Sequence, residues 1–234
     1  MSLAAAASGQ AIIGGGLDAG AHPAVGLLVI QGAGGLVPEC SGVLVSPRVF
    51  LTAGHCTQAA LASGDAYVVF GDQASPLTWS PLHGTATTDP AYGHDSSDLH
   101  DIGVVVLDEP AGVTPATLPA QGTADALAKN GVAPVSVGYG YSQRLKKTSY
   151  VYDGLRHSAA IPVVSQTSTL LRLGASSTEQ LCFGDSGGPQ YLPGTSTIVS
   201  VTSGGGPACD GTATATRLDT VSARTFLASF VALP

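Results

Sequence analysis

Charge is scarce in this sequence. Asp, Glu, Lys and Arg make up only 11% of its 234 residues, nine residues are basic, and the net charge is -7. A nucleic-acid partner calls for clustered Lys and Arg. Arg144, Lys146 and Lys147 form the sole tight basic group, and a solvated loop accounts for it. Long apolar runs are missing too, since none approaches the roughly 18 to 20 residues of a membrane span. The opening MSLAAAASGQA has neither a charged n-region nor a long apolar h-region, so residues 1–11 read as a leader, pro-segment or cloning remnant outside the fold. No CxxC occurs, which removes the commonest metal-binding pattern, and the four cysteines leave three disulfide pairings open. Repeats of solenoid length are absent as well.

What is present is apolar content of 44%, with 31 glycines and 15 prolines. That balance excludes disorder and describes a turn-rich globular chain long enough for a well-buried core. Short apolar or alternating runs recur between Gly, Pro, Ser and Asp clusters: AVGLLVI (24–30), SGVLVS (41–46), YVVF (67–70), IGVVVL (102–107), APVSVG (133–138), AAIPVV (159–164), TIVSVTS (197–203) and TATATRL (212–218). Each has strand length and β-branched character. With no helical periods between them they predict an all-β sandwich or pair of barrels. The proline- and alanine-rich segment 110–133 suits a connection between two β halves. One helix is predicted, over 219–231, capped by Asp219 and with Val221, Arg224, Leu227, Ala228 and Val231 on one face.

The chemistry centres on CFGDSGGP, residues 182–189, where three glycines surround Ser186. GDSGG alone satisfies the nucleophile-elbow pattern of α/β-hydrolases, which place their acid and then their histidine after the serine. Here His22, His55, His83, His94, His100 and His157 all precede Ser186, so that arrangement is excluded. The remaining order is histidine, aspartate, serine. His55 in LTAGHC and Asp101 at the head of DIGVVVL fill it. Ser186 Oγ would attack a carbonyl as His55 takes its proton, and Asp101 would hold the imidazole. The backbone N–H groups of Gly184 and Ser186, two residues apart in a glycine-rich turn, would face the developing oxyanion. The cluster HDSSDLHD (94–101) matches no standard metal spacing and reads as the polar loop that carries Asp101. Asp72 is the lone acidic residue between Phe70 and His83, so no calcium loop is evident.

LTAGHC, DIGVVVL and GDSGGP in this order, with IIGG at 12–15, resemble the trypsin/chymotrypsin family of serine endopeptidases. The resemblance runs from Ile12 to the final helix and is dense at those four motifs. It implies two six-stranded antiparallel β-barrels, over about residues 12–115 and 116–218, around a cleft. It also implies disulfides Cys40–Cys56 and Cys182–Cys209, in keeping with secretion into an oxidising medium. Activation in this family pairs a new N-terminal ammonium, here Ile12, with the aspartate before the nucleophile, here Asp185. Ala11 rather than Lys or Arg precedes Ile12, so a small-residue cut is expected in place of a tryptic one. By gapless counting Gln180 would floor the primary pocket, Ser203 and Gly205 would form a wall with Gly204 between them, and Ala213 would sit near the base. An uncharged floor favours an uncharged substrate side chain, while Glu179 next to it leaves Lys/Arg specificity open. The resemblance further implies protein or peptide substrates, proteinaceous inhibitors, a monomer, and neither cofactor nor metal. A non-catalytic binding protein of the same fold is the rival class; that fate usually replaces the histidine or the serine, and both stand here.

Overall fold

The computed structural model describes residues 12–74, 80–95, 97–146, 149–174 and 179–234. Residues 1–11, expected to be a leader, pro-segment or remnant, and Lys147 lie outside the described residues. In chain order the elements begin with β1 (Gly16–Leu17), β2 (Val25–Gly32), β3 (Gly35–Ser46), β4 (Val49–Thr52), α1 (Gly54–Ser63), β5 (Ala66–Phe70), β6 (Leu82–Thr88) and β7 (Gly103–Leu107). They continue with β8 (Val135–Gly138), β9 (Gln143–Lys146), β10 (Ser149–Val151), β11 (His157–Ala160), β12 (Val163–Gln166) and β13 (Leu170–Gly174). The last are β14 (Pro189–Tyr191), β15 (Ile198–Gly204), β16 (Thr212–Arg217) and α2 (Val221–Leu227).

Six strands, in the order β2-β3-β4-β7-β6-β5, close into an antiparallel barrel. Closure removes every sheet edge; Val25–Val29 of β2 and most of β7 are buried at successive positions, hence on both faces, which is why they read as continuous apolar runs. The second lobe is a half-barrel, consistent with the expected fold of two β-barrels. It is a curled sheet of eight strands, β1-β11-β8-β14-β15-β16-β13-β12, whose outermost member on one side is the two-residue strand just after the expected activation point. Between the lobes the chain from 108 to 134 carries no strand.

Two cores follow from this division. The larger fills the barrel around Leu27, Leu44, Phe50, Val68 and Val105 and runs on to Ile198, Val201 and Leu227. A smaller one lies under the second sheet around Leu171, Leu173, Val199 and Ala215, and Ile12 is buried in it. Each fully buried Leu or Ile of this kind contributes about 1.5–3 kcal/mol.

The helices correct the sequence reading. α1 was not expected, because GHCTQAALAS shows no amphipathic period; tertiary contacts hold it, as described below. α2 is shorter than 219–231, and its cap is Thr220, whose hydroxyl accepts from Ala223 N at 3.2 Å. Asp219 is instead buried, accepting from Ala124 N at 2.7 Å and from Arg217 Nε at 2.9 Å. The buried face is Ala223 and Leu227, while Val221 and Ala228 are exposed.

Candidate active site

His55 stands in the first turn of α1, and the helix has no side-chain cap of its own at Ala53. Its N-terminal donors need a partner. Asp101 supplies one, since its Oδ1 accepts from His55 N at 2.9 Å. The same carboxylate receives His55 Nδ1 at 3.0 Å on Oδ2 and 3.2 Å on Oδ1. One acid therefore caps the helix and holds the ring in the tautomer that leaves Nε2 able to take a proton. A third donor arrives from the other lobe: Ser203 Oγ bonds Asp101 Oδ2 at 2.5 Å. Asp101 is 3% exposed. Burial pushes its carboxyl upward, but the bonds and charge of His55 and the Ser203 hydroxyl outweigh it, so the group sits below the ordinary carboxylate value.

The nucleophile loop is clamped from several sides. Ser41 N donates to Ser186 O at 2.9 Å, and Ser41 Oγ donates to Gly184 O at 2.7 Å. Gly187 N donates to Thr202 O at 2.7 Å. Gly187 has φ +77, and a side chain there would run into Thr52 Oγ1 and come within 2.8 Å of Ala53 N. The turn after Ser186 thus packs directly on the corner that leads into His55. No hydrogen bond links Ser186 Oγ to the imidazole at 3.5 Å or less among the described residues. Such contacts are often long before substrate arrives.

The directions of the two N–H groups expected to be oxyanion donors follow from peptide geometry. Phe183 O accepts from Tyr141 N at 2.8 Å, and because the 183–184 peptide is trans, the Gly184 N–H points the opposite way. Asp185 O accepts from Gly188 N at 2.9 Å, which turns the Ser186 N–H outward in the same manner. Neither N–H has an acceptor among the described residues. Gly184 adopts φ +90, and a Cβ there would lie 2.9 Å from Gly140 Cα.

Beside Ser186 opens a cavity of about 220 Å³ lined by Cys182, Phe183, Thr202, Gly204, Gly205 and Gly206, with no charged side chain in its lining. Of the predicted pocket residues Gly204 and Gly205 border it. Gln180 and Ala213 line a neighbouring void of about 10 Å³, room for about one water, that shares Leu181, Gly205 and Gly206 with the cavity. The gapless count failed to foresee that separation. Ser203, expected on the wall, spends its hydroxyl on Asp101 instead. That role was missed because nothing in TIVSVTS distinguishes a serine facing a carboxylate from one facing substrate.

Asp185 is 1% exposed and accepts from Gly140 N and Cys182 N, each at 2.9 Å. Burial, only partly offset by those two bonds, raises its carboxyl to about 7. No ion pair reaches it among the described residues. Ile12 is fully buried in the second core, and Ile13 O accepts from Gln180 N at 2.8 Å. Both disulfides bond as the resemblance implied, Cys40 to Cys56 and Cys182 to Cys209. Cys40, His55 and Cys56 are the one close group of metal-ligand types among the described residues, and the two sulfurs are bonded to each other. The group is a crosslink beside the base.

A β fold of two lobes, with a capped His–Asp pair from one and a serine in a donor-lined turn from the other, defines the serine-protease class. The family model described as Trypsin matches residues 13–224, and the chain belongs to that family. A comparison with curated proteins gives no match. No helix among the described residues is long and apolar enough to cross a membrane.

Proposed function

We propose that this protein is a secreted serine endopeptidase that cuts peptide bonds through an acyl-enzyme on Ser186. The observation that carries the reading is the pair of unengaged N–H groups on Gly184 and Ser186, set beside a serine and across from a His55 already fixed by Asp101. Ser186 Oγ attacks the scissile carbonyl while His55 Nε2 accepts its proton, and the tetrahedral oxyanion takes bonds from the two N–H groups. The C–N bond then breaks, His55 returns the proton to the leaving amine, and an ester to Ser186 remains. Water attacks this ester with His55 again as base, releasing the acid and the free serine.

The uncharged lining of the cavity supports preference for an uncharged residue before the cut. Activation by exposure of the Ile12 amine is supported by the buried carboxylate of Asp185, which has no ion-pair partner among the described residues and which a buried ammonium would complete. Two disulfides favour an oxidising, extracellular setting. Proteins and peptides are then the substrates, proteinaceous inhibitors the natural antagonists, and the monomer the working unit.

The test is casein hydrolysis by the full chain, by a chain beginning at Ile12, and by each with Ser186→Ala. Cleavage that survives Ser186→Ala overturns the mechanism. Equal activity of the two wild-type chains overturns the activation step. A peptide library read by mass spectrometry reports the pocket, and cuts confined to Lys or Arg would overturn the uncharged preference.

A further inference from the structure

Arg156 is 2% exposed and is the largest fully buried side chain among the described residues. A guanidinium at that depth must have its donors engaged, and here four segment ends converge to do so. Nε donates to Asp18 Oδ2 at 2.8 Å, just after β1, and Nη2 pairs with Asp72, just after β5. Nη1 reaches Val25 O at 3.1 Å, Gly71 O at 3.3 Å and the Tyr139 hydroxyl at 3.2 Å. Val25 and Gly71 belong to the barrel lobe, and Asp18 and Tyr139 to strand ends of the second sheet. The arginine therefore staples the two lobes at the point where the chain after Ile12 enters. Asp18 is itself fixed by His22, through Nδ1 at 2.5 Å and the backbone N–H at 2.9 Å. Gly20 N meets Asp72 Oδ1 at 3.1 Å.

Tyr139 leads from this network to the reaction centre. Its hydroxyl donates to Gly71 O at 2.5 Å, and its ring is buried. Its backbone N–H donates to Ser41 Oγ at 2.9 Å, the hydroxyl that in turn holds Gly184 O. The next residue, Gly140, donates to Asp185 and lies against Gly184. The Tyr139–Gly140 backbone is thus the mould on which the oxyanion turn is shaped, and Arg156 fixes the far end of that mould.

We propose that Arg156 is a positioning residue for the oxyanion hole, coupling the seating of the Asp18 segment to the Gly184 N–H through Tyr139. The inference rests on the serine-peptidase reading above. It is tested with Arg156→Met and with Tyr139→Phe; the latter keeps the ring in the core and removes only the hydroxyl. Each is assayed as the full chain and after removal of residues 1–11, on a chromogenic peptide taken from a casein cleavage site. The readouts are kcat, KM, the melting temperature, and the affinities of the matching peptide aldehyde, which forms a tetrahedral adduct, and peptide alcohol, which does not.

Expected is a fall in kcat of roughly ten- to a hundredfold with KM within about twofold, since a small misplacement of a donor is felt in the transition state. Aldehyde affinity should fall in proportion while alcohol affinity holds. Should Arg156→Met not fold, Tyr139→Phe carries the test. Variants that melt lower yet keep wild-type kcat and aldehyde affinity overturn the positioning role and leave the peptidase reading standing. Wild-type protein that neither cleaves casein nor takes up a fluorophosphonate overturns both.

Discussion

Replacing Gly184 by alanine tests the oxyanion geometry with one methyl group. At φ +90 an L-residue is strained by about 1–2 kcal/mol or more, and the new Cβ would meet Gly140 Cα at 2.9 Å. Gly140 cannot retreat freely, because its N–H is held by Asp185 Oδ1 at 2.9 Å. The cheaper relief is rotation of the 183–184 peptide, which breaks the 2.8 Å bond from Tyr141 N to Phe183 O and swings the Gly184 N–H off the cleft. Loss of one oxyanion donor costs about 3–4 kcal/mol of transition-state stabilisation, or two to three decades in kcat. The ground-state substrate does not use that donor, so KM should move little. Burst kinetics normalised by active-site titration measure the effect, with circular dichroism to confirm the fold. A folded Gly184→Ala enzyme with wild-type kcat per titrated site would refute the assignment of this N–H.

Removing the Cys182–Cys209 bridge by double alanine substitution should cost about 3.5 kcal/mol by loop closure over its separation of 27 residues. For a chain of this size that is a fall of roughly 10 °C in melting temperature, read by calorimetry in a Ser186→Ala background that prevents self-digestion. Acid–base stability should show two opposed slopes. Asp185, raised from 3.8 to about 7, favours the folded uncut chain below pH 3.8, and that advantage, about 4 kcal/mol at most, is lost as pH rises to about 7. Asp18, lowered from 3.8 to about 2, contributes above pH 3.8 and loses its share as pH falls through about 2. Denaturant titrations of the uncut chain from pH 4 to 7.5 should therefore slope downward, and Asp185→Asn should flatten them. An unchanged slope in that variant would assign it elsewhere.

The proposed triad of His55, Asp101 and Ser186 was read from chain order, which excluded the rival hydrolase arrangement. His55 and Ser186 each sit in a motif whose small residues already signalled close approach. Four barrel strands, β2, β3, β5 and β7, were legible as apolar runs, since successive buried positions leave little room for polar residues, whereas β6, LHGTATT, carries too few apolar residues to be read. Hidden from the sequence was whatever depends on distant partners. α1 owes its first turn to a carboxylate 46 residues away and its anchorage to Cys40. Ser203 finds Asp101 across 102 residues, and Arg156 finds Asp18 across 138. Asp219 lost the capping position to Thr220 because Arg217 and Ala124 claim its oxygens, a competition that local propensity does not register.

The hydrogen bond from Ser203 to Asp101 joins a strand of the curled sheet to the head of a barrel strand. The proposed base and acid belong to one half of the molecule, while the proposed nucleophile, the donors and this hydroxyl belong to the other, so on the proposed mechanism neither half carries a complete site. Expressed as separate fragments parted within 108–134, the halves would be silent alone. Recovered turnover would then count how many had found each other, making catalysis a direct reporter of lobe docking.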